Sequence, residues 1–195
     1  MNITTSSDKR PERLDDDVAA EPREYSSPAC SMHEFDLAGE RSSRRIDSAS
    51  RIIAASPAII YRAHLDPQAL ISWLPPQGMK ARIERFEARL GGRYRMVLTH
   101  EQPSRAAQGK TTDAADVVEG RFVALARDEL VSQLVKFESD DPAFAGDMKI
   151  TWTLTAVPAG TEVTVRCENV PTGIRPEDHA AGLASSLENL AAYCE

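Results

Sequence analysis

The chain lacks the features that would place it in a membrane or carry it across one. Its 195 residues contain no apolar run that approaches the ~20 residues of a membrane span. The amino terminus has no apolar core of the kind found in signal peptides. The three cysteines, Cys30, Cys167 and Cys194, are scattered and odd in number, which indicates reduced thiols rather than a disulfide framework. We therefore expect a cytoplasmic protein with no membrane span.

The chain is also poor in positive charge and in cofactor motifs. Its formal net charge of −7 and its pI near 5.2 argue against a nucleic-acid partner, because phosphate groups attract a positive surface. The histidines, His33, His64, His100 and His179, share no metal-ligand spacing, and no CxxC pair accompanies them. No glycine-rich phosphate-binding loop is present. The sequence thus predicts no metal and no cofactor.

The clearest helical period lies at the end of the chain, in residues 176–195. Leu183, Leu187, Leu190 and Cys194 recur at spacings of three and four, which makes one apolar stripe along a helix. A helix with a single apolar stripe needs a partner surface, and almost everything before it is typical of strands. We expect the sheet to curl around this helix and bury the stripe.

The first part of the chain differs in composition from the rest. Residues 1–43 are rich in Ser, Asp, Glu, Arg and Pro and show no sustained apolar period, which predicts a disordered tail. Met32 is a candidate start residue of the native protein. Residues 44–195 are long enough to form one good-sized domain.

The ordered part alternates like a series of strands interrupted once by helices. Two short helices begin at Pro57 and Pro67, with Ser56 and Asp66 as N-caps, and end before Pro75; they are predicted to form a lid or corner rather than a core layer. The predicted strands are 46–54, 79–88, 93–100, 116–126, 130–138, 148–157 and 161–169. The short links between strands favour antiparallel pairing. The fold class is therefore α+β, with a curved antiparallel sheet of about seven strands wrapped around a long C-terminal helix.

Several short motifs resemble those of a known family. They are Asp66-Pro67, 73–79 (WLPPQGM), 91–96 (GGRYRM), 119–122 (EGRF), 151–154 (TWTL), 160–165 (GTEVTV) and the terminal helix around Leu183 and Leu187. Together they resemble the START-like (SRPBCC) superfamily, whose fold is called Bet v 1-like or helix-grip. Within it the chain is similar to the branch related to the C-terminal domain of the activator of Hsp90 ATPase. The resemblance covers residues 44–195.

The resemblance implies a helix-grip fold and leaves the function open. Similar proteins include polyketide cyclases, carriers of hydrophobic ligands, a resistance protein and co-chaperone domains, and a shared fold does not choose among them. It also implies a ligand cavity between the concave face of the sheet and the long helix. Such cavities are mostly apolar with a few polar groups.

Strand alternation and helix periodicity nominate the residues that would face this cavity. The predicted ligand-binding residues are Trp73, Tyr94, Met96, Leu98, Gln133, Val135, Trp152, Leu154, Leu183, Ser186 and Leu187, with Asn189 and Leu190 as further candidates. Trp73 is expected at the mouth of the cavity. The aliphatic members fit a filled core equally well. Gln133 stands out, because an amide on an inward face needs hydrogen-bond partners.

The sequence gives only weak indications of a catalytic site, and no catalytic residue is predicted. His100 and His179 could act as general acid or base, but a surface or capping role suits both. Strand alternation turns Glu119 outward, which favours an ion pair over proton abstraction. Cys167 has no evident basic neighbour that would lower its pKa and make it a nucleophile.

Three functions remain open. The first is a START-like domain that binds a small hydrophobic ligand between the sheet and the C-terminal helix. The second is a polyketide cyclase- or dehydratase-like enzyme, with Tyr94, Gln133 and His179 as its polar participants. The third is an Hsp90-activator-like interaction module that uses its surface to contact a chaperone. A homodimer is compatible with all three.

Overall fold

The computed structural model describes residues 45–101, 111 and 115–195. The elements in chain order are β1 (Ile46–Ile53), α1 (Pro57–Leu65), α2 (Pro67–Trp73), β2 (Met79–Phe86), β3 (Arg93–His100), β4 (Ala115–Ala126), β5 (Leu130–Phe137), β6 (Met148–Val157), β7 (Gly160–Glu168) and α3 (Pro176–Cys194). The predicted tail of residues 1–43, with Cys30, Met32 and His33, lies outside the described residues. The predicted order of strand, two short helices, six strands and long helix is confirmed.

One antiparallel sheet contains all seven strands, in the order β1-β7-β6-β5-β4-β3-β2. The first two strands of the chain therefore form its opposite edges, and α1 and α2 carry the chain from one edge to the other. The remaining strands each pair antiparallel with the next strand in the chain. The link between β5 and β6 differs from the prediction by one detail: it contains a single 3-10 turn at Pro142–Phe144, capped by the side chain of Asp141.

The sheet is curved, and two irregularities in its pairing contribute to the bend. The register between β2 and β3 shifts between Ile83 and Arg85, and the register between β4 and β5 shifts between Phe122 and Ala124. An extra residue in one strand of a pair bends the strand and increases its twist. The curvature leaves the sheet with a concave inner face and a convex outer face.

The inner face is apolar and follows the predicted alternation. One row of paired residues crosses five strands on this face: Asp47, Cys167, Ile150, Gln133 and Phe122. Cys167 and Phe122 are fully buried, as are Val131, Val163 and Val165 in neighbouring positions. The register is well determined, since a slip of one residue would turn every one of these side chains outward.

The two short helices belong to the core, so the prediction that they form a lid or corner is wrong. Ile60 and Ala63 of α1 and Ala69, Leu70 and Trp73 of α2 are all buried. The Asp66 side chain caps α2 by accepting from the Gln68 N–H at 2.8 Å. Ser56 occupies the predicted N-cap position of α1, but its side chain makes no capping hydrogen bond.

The long helix α3 covers only part of the inner face. It buries Leu183, Leu187 and Leu190, as its periodicity predicts, and packs against β1, α1 and α2. At the opposite edge, the inner-face residues Ala81 and Ile83 of β2 are only half-buried. Within the described residues, no helix is both long and apolar enough to cross a membrane.

The contact between Tyr94 and Gly120 predicts a large effect of a small substitution. A Cβ atom at position 120 would lie 2.0 Å from Tyr94 Cζ, so Gly120→Ala should lower the free energy of unfolding by about 1–3 kcal/mol. Gly182→Ala is the matched control, because no atom lies within 4 Å of its added Cβ; we expect a gain of about 0.5–1 kcal/mol from helix propensity. Urea unfolding measures both. Equal stabilities of the two variants would contradict the Tyr94–Gly120 contact.

Candidate functional site

A buried polar pair lies at the centre of the inner face. Tyr94 on β3 stands opposite Gly120 on β4, and the absence of a side chain there lets its ring lean across to β5. The Tyr94 hydroxyl donates to Gln133 Oε1 at 2.5 Å. Burial raises the pKa of Tyr94 well above its usual range, so its phenol stays protonated. The sequence predicted both residues separately, but it could not predict that they bond to each other.

An aromatic cluster joins the short helices to the sheet. The rings of Trp73 and Trp152 meet edge-to-face at 5.5 Å between centroids, and His64 lies 4.8 Å from Trp73 and 5.0 Å from Trp152. The Trp73 indole N–H donates to the Ala63 carbonyl at 3.0 Å. Trp73 is only 1% exposed, so it lies deeper than the mouth position that the sequence predicted.

His64 is the buried polar residue that sequence reasoning missed. It is fully buried, and its Nδ1 lies 2.9 Å from the Ile60 carbonyl, which can only accept; Nδ1 therefore carries the proton. Its Nε2 lone pair has no hydrogen-bond partner within the described part of the chain. Burial lowers the pKa of His64 to about 4. The helical spacing could have predicted this burial, since Ile60, Ala63 and His64 share the buried face of α1.

Side chains of α3 hold the loop that follows α2. Ser186 Oγ donates to the Leu74 carbonyl at 3.1 Å, and Asn189 Nδ2 donates to the Pro75 carbonyl at 2.9 Å. These carbonyls lie at the C-terminal end of α2, where a helix has no internal partners for them. Ser186 thus has a structural role, and its predicted contact with a ligand remains a prediction.

A groove opens beside this loop, between the β2 edge of the sheet and the C-terminal half of α3. Its volume is about 580 Å³. Met79 and Ala81 line it from the inner face of β2, Pro75 from the loop, and Ala192 and Tyr193 from α3. At its rim Lys80 pairs with Glu101 at 3.1 Å. None of the eleven predicted ligand-binding residues lines this groove, and of the two further candidates only Asn189 does.

His179 occupies a more buried position than the predicted surface or capping role. Its side chain is 12% exposed, and its Nδ1 lies 2.6 Å from Asp47 Oδ2 on β1. Arg45 forms an ion pair with the same carboxylate and also donates to the Ile174 carbonyl. Hydrogen bonds from Arg45 and then from His179 lower the pKa of Asp47, against an opposing effect of burial. This cluster ties the first turn of α3 to the sheet edge.

The remaining residues considered for catalysis have structural roles. Glu119 faces outward and pairs with Arg95 at 3.0 Å, as strand alternation predicts. Cys167 is fully buried, and burial raises its pKa to about 12, so its thiol is a core group. His100 lies half-buried at the end of β3. Among the residues that the structure describes, no group of three His, Cys, Asp or Glu side chains could hold a metal ion.

The structure places all the predicted ligand-binding residues on the inner face or on the elements that cover it. The buried members are Trp73, Tyr94, Met96, Gln133, Val135, Trp152, Leu154, Leu183, Ser186 and Leu187. Leu98 is half-buried. Their inward orientation is thus confirmed, while contact with a ligand stays a prediction.

The burial of His64 predicts a loss of stability in mild acid. Its pKa of about 4 in the folded protein lies below the 6.5 of the unfolded chain, so the unfolded state binds more protons below pH 6.5. The contribution of neutral His64 to the free energy of unfolding is then fully present above pH 6.5. The free energy of unfolding should fall by about 2 kcal/mol at pH 5. Urea unfolding at pH 7 and pH 5 measures this loss. His64→Phe should remove most of it, and an unchanged loss in that variant would assign the effect to other groups.

Comparisons with known proteins agree with this architecture. The family model described as activator of Hsp90 ATPase homolog 1-like protein matches residues 54–195. A solved structure of a protein from Chromobacterium violaceum is 30% identical, with a TM-score of 0.67 over 77% of this chain and 98% of its own. An AHSA1-like protein from Aeromonas hydrophila shares the fold at 17% identity, with a TM-score of 0.58 over 76% of this chain and 91% of its own. No match was found among curated proteins. The chain belongs to the activator of Hsp90 ATPase homolog 1-like family, within the START-like helix-grip superfamily.

Proposed function

We propose that this protein binds a small hydrophobic ligand between α3 and the inner face of strands β2 to β5. The proposal rests on one observation, which is that residues of the inner face are buried to different extents on its two sides. On the β7 side Val163, Val165 and Cys167 are completely buried, whereas Ala81, Ile83 and Leu98 on the inner face of β2 and β3 are only half-buried. A core filled to native density would cover these positions as completely as the others.

The open side of the fold has the composition of a ligand site. Ala81, Ile83 and Leu98 are apolar and half-buried on the inner face, and Tyr94 and Gln133 add a polar pair beside them. Small-molecule sites combine apolar walls with a few placed polar groups, in volumes of about 300–1,000 Å³. The groove at the β2 edge shares Ala81 with this surface and offers a route of entry to it.

We propose binding rather than catalysis because the polar residues of the enzyme hypothesis are divided between two places. Catalysis needs acid, base and reacting atom within hydrogen-bond reach of one another. Tyr94 and Gln133 meet on β3 and β5, while His179 is engaged by Asp47 on β1. Asp47 and Gln133 lie three strand spacings apart in one row, or roughly 14 Å.

A thermal-shift screen with fatty acids, flavonoids and polyketides tests the proposal. A ligand at a hundredfold its Kd should stabilise the native protein by ~2.7 kcal/mol and raise its melting temperature. Leu98→Trp enlarges a half-buried residue of the inner face and should abolish the shift by filling the proposed site. Val97→Trp enlarges the neighbouring residue on the outer face and should leave the shift intact. The absence of a shift with every compound, or an equal shift in Leu98→Trp, would rule out this site.

The family relationship favours one second function, an interaction with an Hsp90-type chaperone. The family that matches residues 54–195 is described as activator of Hsp90 ATPase homolog 1-like protein. Chaperone ATPase activity, measured with and without the purified full chain, separates the two functions. We expect no stimulation, because the proposed site is internal rather than a docking surface. A several-fold stimulation that Leu98→Trp leaves unchanged would favour the chaperone function.

A further inference from the structure

We infer that the internal site takes a neutral apolar molecule that carries a carbonyl-type oxygen, which accepts a hydrogen bond from Gln133 Nε2. This inference rests on the proposed function and adds a chemical class to it. Tyr94 is the positioning residue, because it holds the amide in the orientation that presents Nε2.

The distance between Tyr94 and Gln133 decides which way the amide faces. A separation of 2.5 Å suits an O–H···O hydrogen bond, whereas N–H···O bonds are normally 2.7–3.2 Å long. The phenol therefore donates to Oε1, and the NH₂ group of Gln133 points away from Tyr94. The neutral phenol can hold this geometry at physiological pH because its proton stays bound.

The NH₂ group is left with two donors in an apolar environment. Within the described residues, Gln133 Nε2 has no hydrogen-bond partner. Its neighbours in the same row are Ile150 on β6 and Phe122 on β4, and neither side chain can accept a hydrogen bond. A ligand that covers this donor without supplying an acceptor leaves it unpaired, so a ligand that supplies an oxygen at this point gains affinity over one that does not.

An anion finds no pairing charge on the described inner faces of strands β3 to β5, whose inward positions carry no Lys or Arg side chain. Arg45 and His179 are engaged by Asp47 at the β1 edge, and Arg51 lies exposed on the same edge strand. A carboxylate beside Gln133 would therefore lose its hydration without a cation to pair with it. A ketone, ester or lactone oxygen carries no such penalty.

Three naphthalene probes of nearly equal size test the inference on the full chain. They are 2-acetylnaphthalene, which offers a carbonyl oxygen, 2-ethylnaphthalene, which offers no acceptor, and 2-naphthoate, which offers a charged one. Isothermal titration gives a Kd for each. We expect the ketone to bind about three- to tenfold more tightly than the hydrocarbon, which is the usual net effect of one hydrogen bond, and the naphthoate to bind more weakly than the ketone.

Variants assign the preference to the amide. Gln133→Met should bind the ketone and the hydrocarbon equally and keep the affinity of the wild type for the hydrocarbon. Tyr94→Phe keeps the ring and frees the amide, so it should reduce the ketone preference at least twofold. Ser132→Ala is the control, because Ser132 lies next to Gln133 on the outer face, where its hydroxyl meets Thr151 at 3.0 Å. If Gln133→Met fails to fold, as judged by circular dichroism, the ketone preference of Tyr94→Phe is the deciding measurement.

The outcomes separate this inference from the proposed function. Equal affinities of the wild type for ketone and hydrocarbon would overturn the inference and leave the ligand site standing. A preference for naphthoate would overturn the neutral class. Binding of none of the probes, together with no shift in the compound screen, would remove both proposals. A ketone preference that persists in Gln133→Met and in Tyr94→Phe would assign the hydrogen bond to another residue.

Discussion

The curved sheet has one apolar face, and water must be excluded from most of it for the domain to be stable. Three helices share that task unequally. Leu183, Leu187 and Leu190 of α3 close the β1 side, and the cluster of His64, Trp73 and Trp152 closes the middle. Close packing on one side leaves the other side with half-buried aliphatic residues. The space proposed as a ligand site follows from this asymmetry.

Polar groups inside the domain hold its covering helices in place. Ser186 and Asn189 bind backbone carbonyls at the end of α2, and the Trp73 indole binds the Ala63 carbonyl of α1. Each bond satisfies a carbonyl that burial would otherwise leave unpaired. One buried group in the described interior departs from this rule, the His64 Nε2 lone pair, which is enclosed by aromatic rings. The Gln133 amide N–H also lacks a partner among the described residues, but it borders the less covered half of the inner face, and only that position suits a ligand.

Family membership and site chemistry answer different questions about this protein. The activator of Hsp90 ATPase homolog 1-like family and the similar solved structures establish the helix-grip architecture. That architecture supports several functions, so the function has to be argued from the residues that line its interior. Here those residues are mostly apolar with one oriented amide. This composition suits recognition of a neutral molecule better than proton transfer.

The sequence by itself determined the elements, their order and the inward faces, because alternation along strands and a period near 3.6 along helices follow directly from local geometry. It therefore predicted the burial of Tyr94, Gln133 and Leu187 correctly. Only the tertiary structure decided which inward residues meet. The Tyr94–Gln133 bond depends on strand register and on the missing side chain of Gly120, and the Asp47–His179 pair joins residues 132 positions apart. Such contacts depend on how distant segments pack, and no local pattern encodes them.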